Sequence, residues 1–319
     1  MTEDVRPRFD DPVDPPPSGT PWTVLRLLRW STQYLDAKGV EGGRLDVEHL
    51  LADTLGVGRL DLYTQFERPL QPEELSAFRP RLLERARHRP LQYILGRASF
   101  REIELQVDER VLVPRPETEE LVGAVLSRVR EWGRDDLVAL DLGTGSGAIA
   151  LSLLVEGPFS RVWATDSSAD ALEVAEANAA SLDLSRRVTF ARGDLFQPLP
   201  DELRADVLVS NPPYISPGEL ASLQPEVRLH EPEEALVAPG DGLAILERIV
   251  DGAGEVLMPG GLLALEVGAG QAPAVVERLE EARRWGTPVV LRDLGHHERI
   301  VLATLERERD PAGSPRGTN

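Results

Sequence analysis

The sequence predicts an α/β fold: a mostly parallel β-sheet with helices on both faces and its last strand antiparallel, preceded by a small helical domain that a β-hairpin joins to it. Three observations predict this. From Pro116 onward, short apolar runs alternate with stretches of helical period, the succession that builds a parallel sheet covered on both sides. Ahead of residue 88 the apolar residues recur only at helical spacing. The final two strand-like runs, PVVLRDL and RIVLATL, are separated by Gly295-His296-His297-Glu298 alone, too short a link for a parallel crossover, so they run antiparallel.

Residues 1–20 are acidic and proline-rich, with Pro15-Pro16-Pro17, and read as disordered. A helical domain is expected over residues 21–88. Its first helix has Thr20 as cap and Pro21 at the first helical position, then Val24, Leu27, Leu28 and Leu35 at helical spacing until Lys38-Gly39 ends it. Val47, Leu50, Leu51 and Leu55 mark a second helix. Leu75, Phe78, Leu82 and Leu83, after Pro72, mark a third. A bundle this small holds little cavity of its own. Over residues 89–114 the period changes to alternation. Phe100, Ile103, Leu105 and Val107 lead to Asp108-Glu109, and Val111-Leu112-Val113 follows, which reads as a hairpin linker turning at the acidic pair.

The α/β domain is expected over residues 115–305. A helix near 117–131 precedes the strand LVALDL; a helix after Gly147 leads to RVWAT, and a helix at 168–181 to VTFA, followed by ADVLVS. A helix at 242–256, the strand LLALEV after Pro259-Gly260-Gly261, a helix at 271–284 and the two closing strands complete it. The tail, residues 306–319, reads as disordered.

At 319 residues and 41% hydrophobic content the chain can fill a substantial core. No apolar run reaches the ~18 residues of a membrane span, and the N-terminus lacks the apolar stretch of a signal peptide, so no membrane partner and a cytoplasmic location are expected. The absence of cysteine excludes disulfides, thiolate zinc sites and a cysteine nucleophile. The five histidines show no ligand spacing, so no metal is expected. A formal charge of −19 repels phosphate backbones and speaks against direct nucleic-acid binding.

The strand VALDL runs into Asp141-Leu142-Gly143-Thr144-Gly145-Ser146-Gly147 and then a helix. A glycine-rich turn there lets backbone approach a ligand at the edge where open α/β sheets bind nucleotides. The next strand ends at Asp166, 21 residues after Gly145, close to the offset of about 20 at which an acid meets ribose hydroxyls in Rossmann-like folds. The spacing is G-x-G-x-G rather than the dinucleotide G-x-G-x-x-G. An acid, Asp141, also opens the loop, and it suits a ligand that carries ammonium and sulfonium charges. The pattern points to S-adenosylmethionine, with S-adenosylhomocysteine as product.

The apolar run ADVLVS stops at Asn211-Pro212-Pro213-Tyr214, where two prolines forbid a central strand to continue. D-L-G-T-G-S-G followed by N-P-P-Y resembles the class I methyltransferases that act on planar amide or amino nitrogens. The resemblance implies a substrate amide, whose nitrogen is a poor nucleophile because its lone pair is delocalised into the carbonyl. A site that alkylates one must hold the NH2 by its protons; the Asn211 oxygen and a proline carbonyl can each accept one, the prolines keep the loop stiff, and Tyr214 can pack on a flat substrate. GRASFREIELQVDERVLVPRPETEELV is similar to the signature ahead of the catalytic domain in bacterial protein-glutamine N5-methyltransferases. Its R-P-E-T-E form, with NPPYIS and HEPEEALVAPGDGL downstream, resembles the release factor branch of that family, over roughly residues 21 to 305.

The resemblance implies a class I methyltransferase sheet and transfer of a methyl group from S-adenosylmethionine to the glutamine of the Gly-Gly-Gln loop of peptide chain release factors. It implies Gly143, Thr144, Gly145, Ser146 and Gly147 around the methionine part of the cofactor, Asp166 on the ribose, and Asp194 and Leu195 near the adenine. It implies Asn211, Pro212, Pro213 and Tyr214 around the target glutamine, with Asn211, Pro212 and Tyr214 catalytic and Asn211 also near the cofactor, and Phe100 as a wall of the same pocket. Glu117 and Glu119 are read equally as site carboxylates or as the acids that favour the first turn of a helix. The helical domain and the acidic surface are expected to bind the release factor, and the enzyme to act as a monomer. Three rivals stand beside it: a ribosomal-protein glutamine N5-methyltransferase; an adenine-N6 methyltransferase on DNA or RNA, which the charge opposes; and a non-enzymatic adaptor that keeps the fold without the chemistry, which the intact motifs at both ends of the site oppose.

Overall fold

The computed structural model describes residues 21–306, so the expected disordered ends, but for Glu306, lie outside the described residues. The described chain divides into two compact units, residues 21–96 with 224–230, and residues 97–223 with 231–306. Among the described residues no helix is long and apolar enough to cross a membrane.

The first unit is helical: α1 (Val24–Ala37), α2 (Gly43–Leu55), α3 (Asp61–Thr64), α4 (Pro72–Arg85) and α5 (Leu91–Leu95). The first helix starts later than the sequence suggests. Thr23, in extended backbone, caps it by accepting the Arg26 amide, and Thr20 lies outside the described residues. The amides of Val24 and Leu25 are spent on the carbonyls of Arg68 and Phe66, which fixes the start. Val24, Leu27, Leu28, Leu35, Val47, Leu50, Leu51, Phe78 and Leu82 form the core, as the periodicity predicts. A short helix from far along the chain, Pro225–His230, belongs to this unit. Buried Arg85 holds it, bonding to Asp46 at 2.6 Å and Glu226 at 2.9 Å.

The second unit opens with a hairpin, β1 (Arg97–Phe100) and β2 (Ile103–Gln106), paired Arg97↔Gln106 to Phe100↔Ile103. Its turn is at Arg101-Glu102, not Asp108-Glu109, and Val111–Val113 forms no strand. The reason lies in Arg101, whose left-handed backbone (φ 51°) is held by Glu119 and Glu156. Then follow α6 (Pro116–Arg130), β3 (Leu137–Leu142), α7 (Ala148–Glu156), β4 (Phe159–Asp166), α8 (Ala169–Ser181), β5 (Val188–Arg192) and β6 (Ala205–Ser210). With Pro225–His230 numbered α9 in chain order, α10 (Ala244–Val256), β7 (Leu257–Glu266), α11 (Ala272–Glu281), β8 (Val289–Arg292) and β9 (Glu298–Thr304) complete the fold.

Seven strands form one sheet in the order β5-β4-β3-β6-β7-β9-β8. All neighbours are parallel except at β9, which is antiparallel to both β7 and β8. This is the α/β sheet with an antiparallel last strand that the sequence predicts. The chain winds outward one way from β3 and the other way from β6, so the carboxyl edge between them is the switch point where such sheets open a crevice.

Candidate active site

The register of β3 on β6 builds the site. Leu142 pairs with Ser210, and the Ser210 hydroxyl donates to the Leu142 carbonyl at 2.7 Å. Gly143 and Asn211, the next residues, therefore leave the sheet side by side. A cavity of about 200 Å³ opens there, lined by Gly143, Gly145, Asp166, Asp194, Leu195, Asn211, Pro212 and Pro213 among others.

The glycine loop is anchored on the end of β4. The amides of Gly143 and Thr144 donate to the Thr165 carbonyl, and the Gly145 amide donates to Asp166 Oδ2 at 2.9 Å. Gly143 and Gly145 have φ of 73° and 53°, and a Cβ on either would meet open space, so their backbone faces the cavity bare. Thr144, Ser146 and Gly147 do not line it. Thr144 and Ser146 are buried, and a Cβ on Gly147 would press on Leu151 and Ala175, which makes that glycine a close-packing residue at the start of α7.

Asp141 also lies behind the cavity wall. It is fully buried, and Oδ2 accepts the Thr144 hydroxyl at 2.7 Å, while among the described residues Oδ1 has no hydrogen-bond partner of good geometry. Burial pushes its carboxyl up to about 7. Asp166 is raised as well, by burial foremost, against the amides of Ser168 and Gly145. At the far end of the cavity Leu195 takes a left-handed backbone (φ 52°), and its carbonyl accepts the Thr165 hydroxyl at 3.1 Å. Asp194 is exposed and paired with Arg248 at 2.6 Å.

On the other wall, Asn211 Nδ2 donates to Thr118 Oγ1 at 2.9 Å, and Thr118 donates to Glu266 Oε2 at 2.7 Å. Thr118 sits in the first turn of α6 and Glu266 ends β7, one residue beyond the Ser210–Leu265 pair. Burial raises the Glu266 carboxyl to about 7, with Glu117 adding to the rise and Arg299 and Arg115 opposing it. The Tyr214 hydroxyl is pushed up to about 12, again by burial first.

Phe100 and Tyr214 stand outside the cavity lining too. Phe100 does not line the cavity: the alternation of β1 turns Ala98 and Phe100 inward, and Phe100 is 0% exposed, with no face left for a ligand. Tyr214 does not line it either. Its carbonyl accepts the Gln271 amide at 2.9 Å and its ring packs against the core, so it braces the loop. Of the two open carboxylates, Glu119 holds the hairpin turn, accepting the Arg101 amide at 3.1 Å. Sequence reasoning missed Thr118, Glu266, Gln271 and Gly242. The usable signal was the lone acid ending the apolar run LLALEV, since a carboxylate on a buried strand needs a partner.

The family described as "PrmC N-terminal domain" matches residues 26–96, and "Methyltransferase small domain" matches residues 125–241. A protein of Geobacter sulfurreducens named release factor glutamine methyltransferase is 44% identical over 255 residues, 80% of this chain and 87% of its own. Proteins of the same name from Rhodopirellula baltica and Bacillus subtilis are 40% and 37% identical, over 88% and 90% of this chain and 96% and 99% of theirs. The chain belongs to the release factor glutamine methyltransferase family. Among solved structures, a methyltransferase from Pyrococcus furiosus is 18% identical with a TM-score of 0.47, covering 64% of this chain and 89% of its own.

Proposed function

We propose that the protein binds S-adenosylmethionine in the β3/β6 crevice and transfers its methyl group to the side-chain amide nitrogen of the glutamine in the Gly-Gly-Gln loop of peptide chain release factors. The observation that carries this is the pairing of Leu142 with Ser210, which sets the bare glycine loop beside Asn211. The residues present fit the cofactor. Gly143 and Gly145 offer backbone with no Cβ in the way, Asp166 lines the cavity with a carboxylate, and Leu195 and Ile245 supply apolar surface for a base. When bound, the cofactor supplies an electrophilic methyl group on a sulfonium.

The protein's own part is orientation. Asn211 gives its NH2 to Thr118, so its oxygen is free to accept one N–H of the substrate amide, and a carbonyl of the stiff Pro212-Pro213 turn accepts the other. Held by its protons, the nitrogen can present its lone pair. As it becomes tetrahedral those protons grow more acidic and bind their acceptors more tightly, so the interaction favours the transition state over the ground state. The substrate nitrogen would gain the methyl that the bound cofactor supplies and release one proton to water. The release factor is taken as the partner because the relatives carry that name over nearly their whole length.

Mass spectrometry of purified release factor, incubated with the enzyme and S-adenosylmethionine, should show one added methyl on the loop glutamine. Asn211→Ala should lower the single-turnover rate by ~10²–10³, the usual loss for one preorganised partner. Preferential methylation of a ribosomal protein or of adenine would overturn the assignment.

A further inference from the structure

We propose that Thr118 and Glu266 are positioning residues that lock the Asn211 side-chain amide with its oxygen toward the substrate nitrogen. This rests on the reading of Asn211 given above and adds what decides which end of its amide the substrate meets. An asparagine is symmetric in shape: turned over, it would offer NH2 to the NH2 of the substrate, donor against donor. Something must fix the turn.

The hydrogen-bond chain does so by counting protons. A carboxylate accepts only, so the hydroxyl proton of Thr118 must go to Glu266 Oε2, 2.7 Å away. The Thr118 oxygen then has only lone pairs to show Asn211, 2.9 Å away on the other side. It receives the Nδ2 protons and repels Oδ1. Among the described residues Asn211 Oδ1 accepts no hydrogen bond, and Asn211 lines the cavity. Direction thus passes from a buried charge, through a hydroxyl, to the group that meets the substrate. The three residues come from three places, the first turn of α6, the end of β6 and the end of β7.

The setting of Glu266 fits this task better than a packing role. It is 1% exposed at the end of a strand whose preceding residues, Leu262–Leu265, are buried and apolar, where a leucine would pack at no electrostatic cost. The charged and titratable groups that act on it are Glu117 and Arg115 from the start of α6 and Arg299 from β9, with Tyr214 coupled to it from the loop. Burial and Glu117 oppose ionisation; the two arginines support it. With the carboxyl raised to about 7, the chain has two states. Ionised Glu266 enforces the productive amide. Protonated Glu266 can donate to Thr118, whose own proton is then free to seek Asn211 Oδ1 and draw the amide over.

The test measures single-turnover rates at saturating cofactor and release factor, over a pH range bracketing about 7. Glu266→Gln keeps the shape but can donate, and Thr118→Val keeps the volume but breaks the chain. Both should lower the rate about 10- to 100-fold, the range for residues that orient a primary contact. KM for the release factor and cofactor affinity should hold. Thr118→Ser should restore most of what Thr118→Val loses. The parent rate should fall on the acid side of the inflection, and Glu266→Gln should lose that inflection. In an Asn211→Ala background, Glu266→Gln should cost nothing further, because there is no amide left to turn. Full rate and an intact inflection in Glu266→Gln, with Asn211→Ala slow, would overturn this inference alone. A fast Asn211→Ala would overturn the reading of the site beneath it.

Discussion

Asp166 accepts the Gly145 amide with one oxygen and the Ser168 amide with the other, both at 2.9 Å, while lining the cavity. Each carboxylate oxygen has a lone pair to spare, so the residue can brace the glycine loop and still take ribose hydroxyls. Asp166→Ala removes both at once. Hydrogen bonds to a charged group are worth ~1.5–3 kcal/mol, so cofactor affinity should fall by about ten- to a hundredfold or more in calorimetry, and an unchanged affinity would show that the loop alone binds. Asp141 and Glu266 make a second prediction. Burial raises both carboxyls to about 7, from ordinary values of 3.8 and 4.5. The folded chain therefore holds these protons more tightly than the unfolded one. The stability they contribute is fully present below the ordinary values and is lost as pH rises through about 7. Thermal melting without ligand should show a shallower loss from about pH 5 to about pH 8 in Asp141→Asn than in the parent. Equal slopes would mean that Asp141 titrates normally.

At the scale of elements, the Asn211–Tyr214 turn is held from behind by the segment that leads into α10. Gly242 has φ 89°, and a Cβ there would run into the Tyr214 carbonyl oxygen and lie 2.7 Å from Gln271 Nε2. The Gln271 amide donates to that same carbonyl at 2.9 Å. Gly242→Ala must push the loop aside. It should lower the melting temperature by several degrees, for ~1–3 kcal/mol of overpacking, and lower turnover more than cofactor affinity; a melt and rate equal to the parent's would refute this brace. The hairpin is strapped on in a similar way. The fully buried Asn178 accepts the Gln106 amide at 2.7 Å and donates to the Gln106 and Ser146 carbonyls. Elements with a strong period were legible in the sequence: α2, α4, α6, α8 and the strands β3, β4 and β6 fall within a few residues of expectation. So was the convergence of Gly143, Gly145, Asp166 and Asn211, because parallel strands bring their carboxyl ends to one edge. What failed was local chemistry with a tertiary cause. The hairpin turned at Arg101 because Glu119 and Glu156 hold it there, against the more turn-like Asp108-Glu109. Thr118 and Glu266 stand 148 residues apart, and no spacing rule pairs them. The short α9 was missed because six residues of PEVRLH carry too little period to read.

At the scale of the whole molecule, the cavity and its supports are drawn wholly from the second unit, whose core cluster is its own, and the helical unit has another. A methyltransferase sheet with a small cavity can hold a cofactor and one planar amide, but it has few means to choose one protein's glutamine from another's. The formal charge of −19 adds a general preference against nucleic acid and no address. The prediction is that the helical unit reads the release factor. Along the chain α9 falls between the bridge residues Ile215 and Val237, yet it belongs to the helical unit, where Glu226 meets Arg85. A chain beginning at Arg97 removes α1–α5 and deprives α9 of Arg85 while leaving every cavity residue in place. Cofactor affinity should therefore be kept, and calorimetry would verify it before any rate is compared. On the intact release factor the truncated enzyme should lose about a hundredfold or more in kcat/KM, ~2.7 kcal/mol of recognition. On a short peptide containing Gly-Gly-Gln, which the helices have little chance to grip, the two chains should be nearly equal. If the truncated enzyme methylated the whole factor as fast as the full chain, recognition would have to lie in the sheet unit, and the helices would need another purpose.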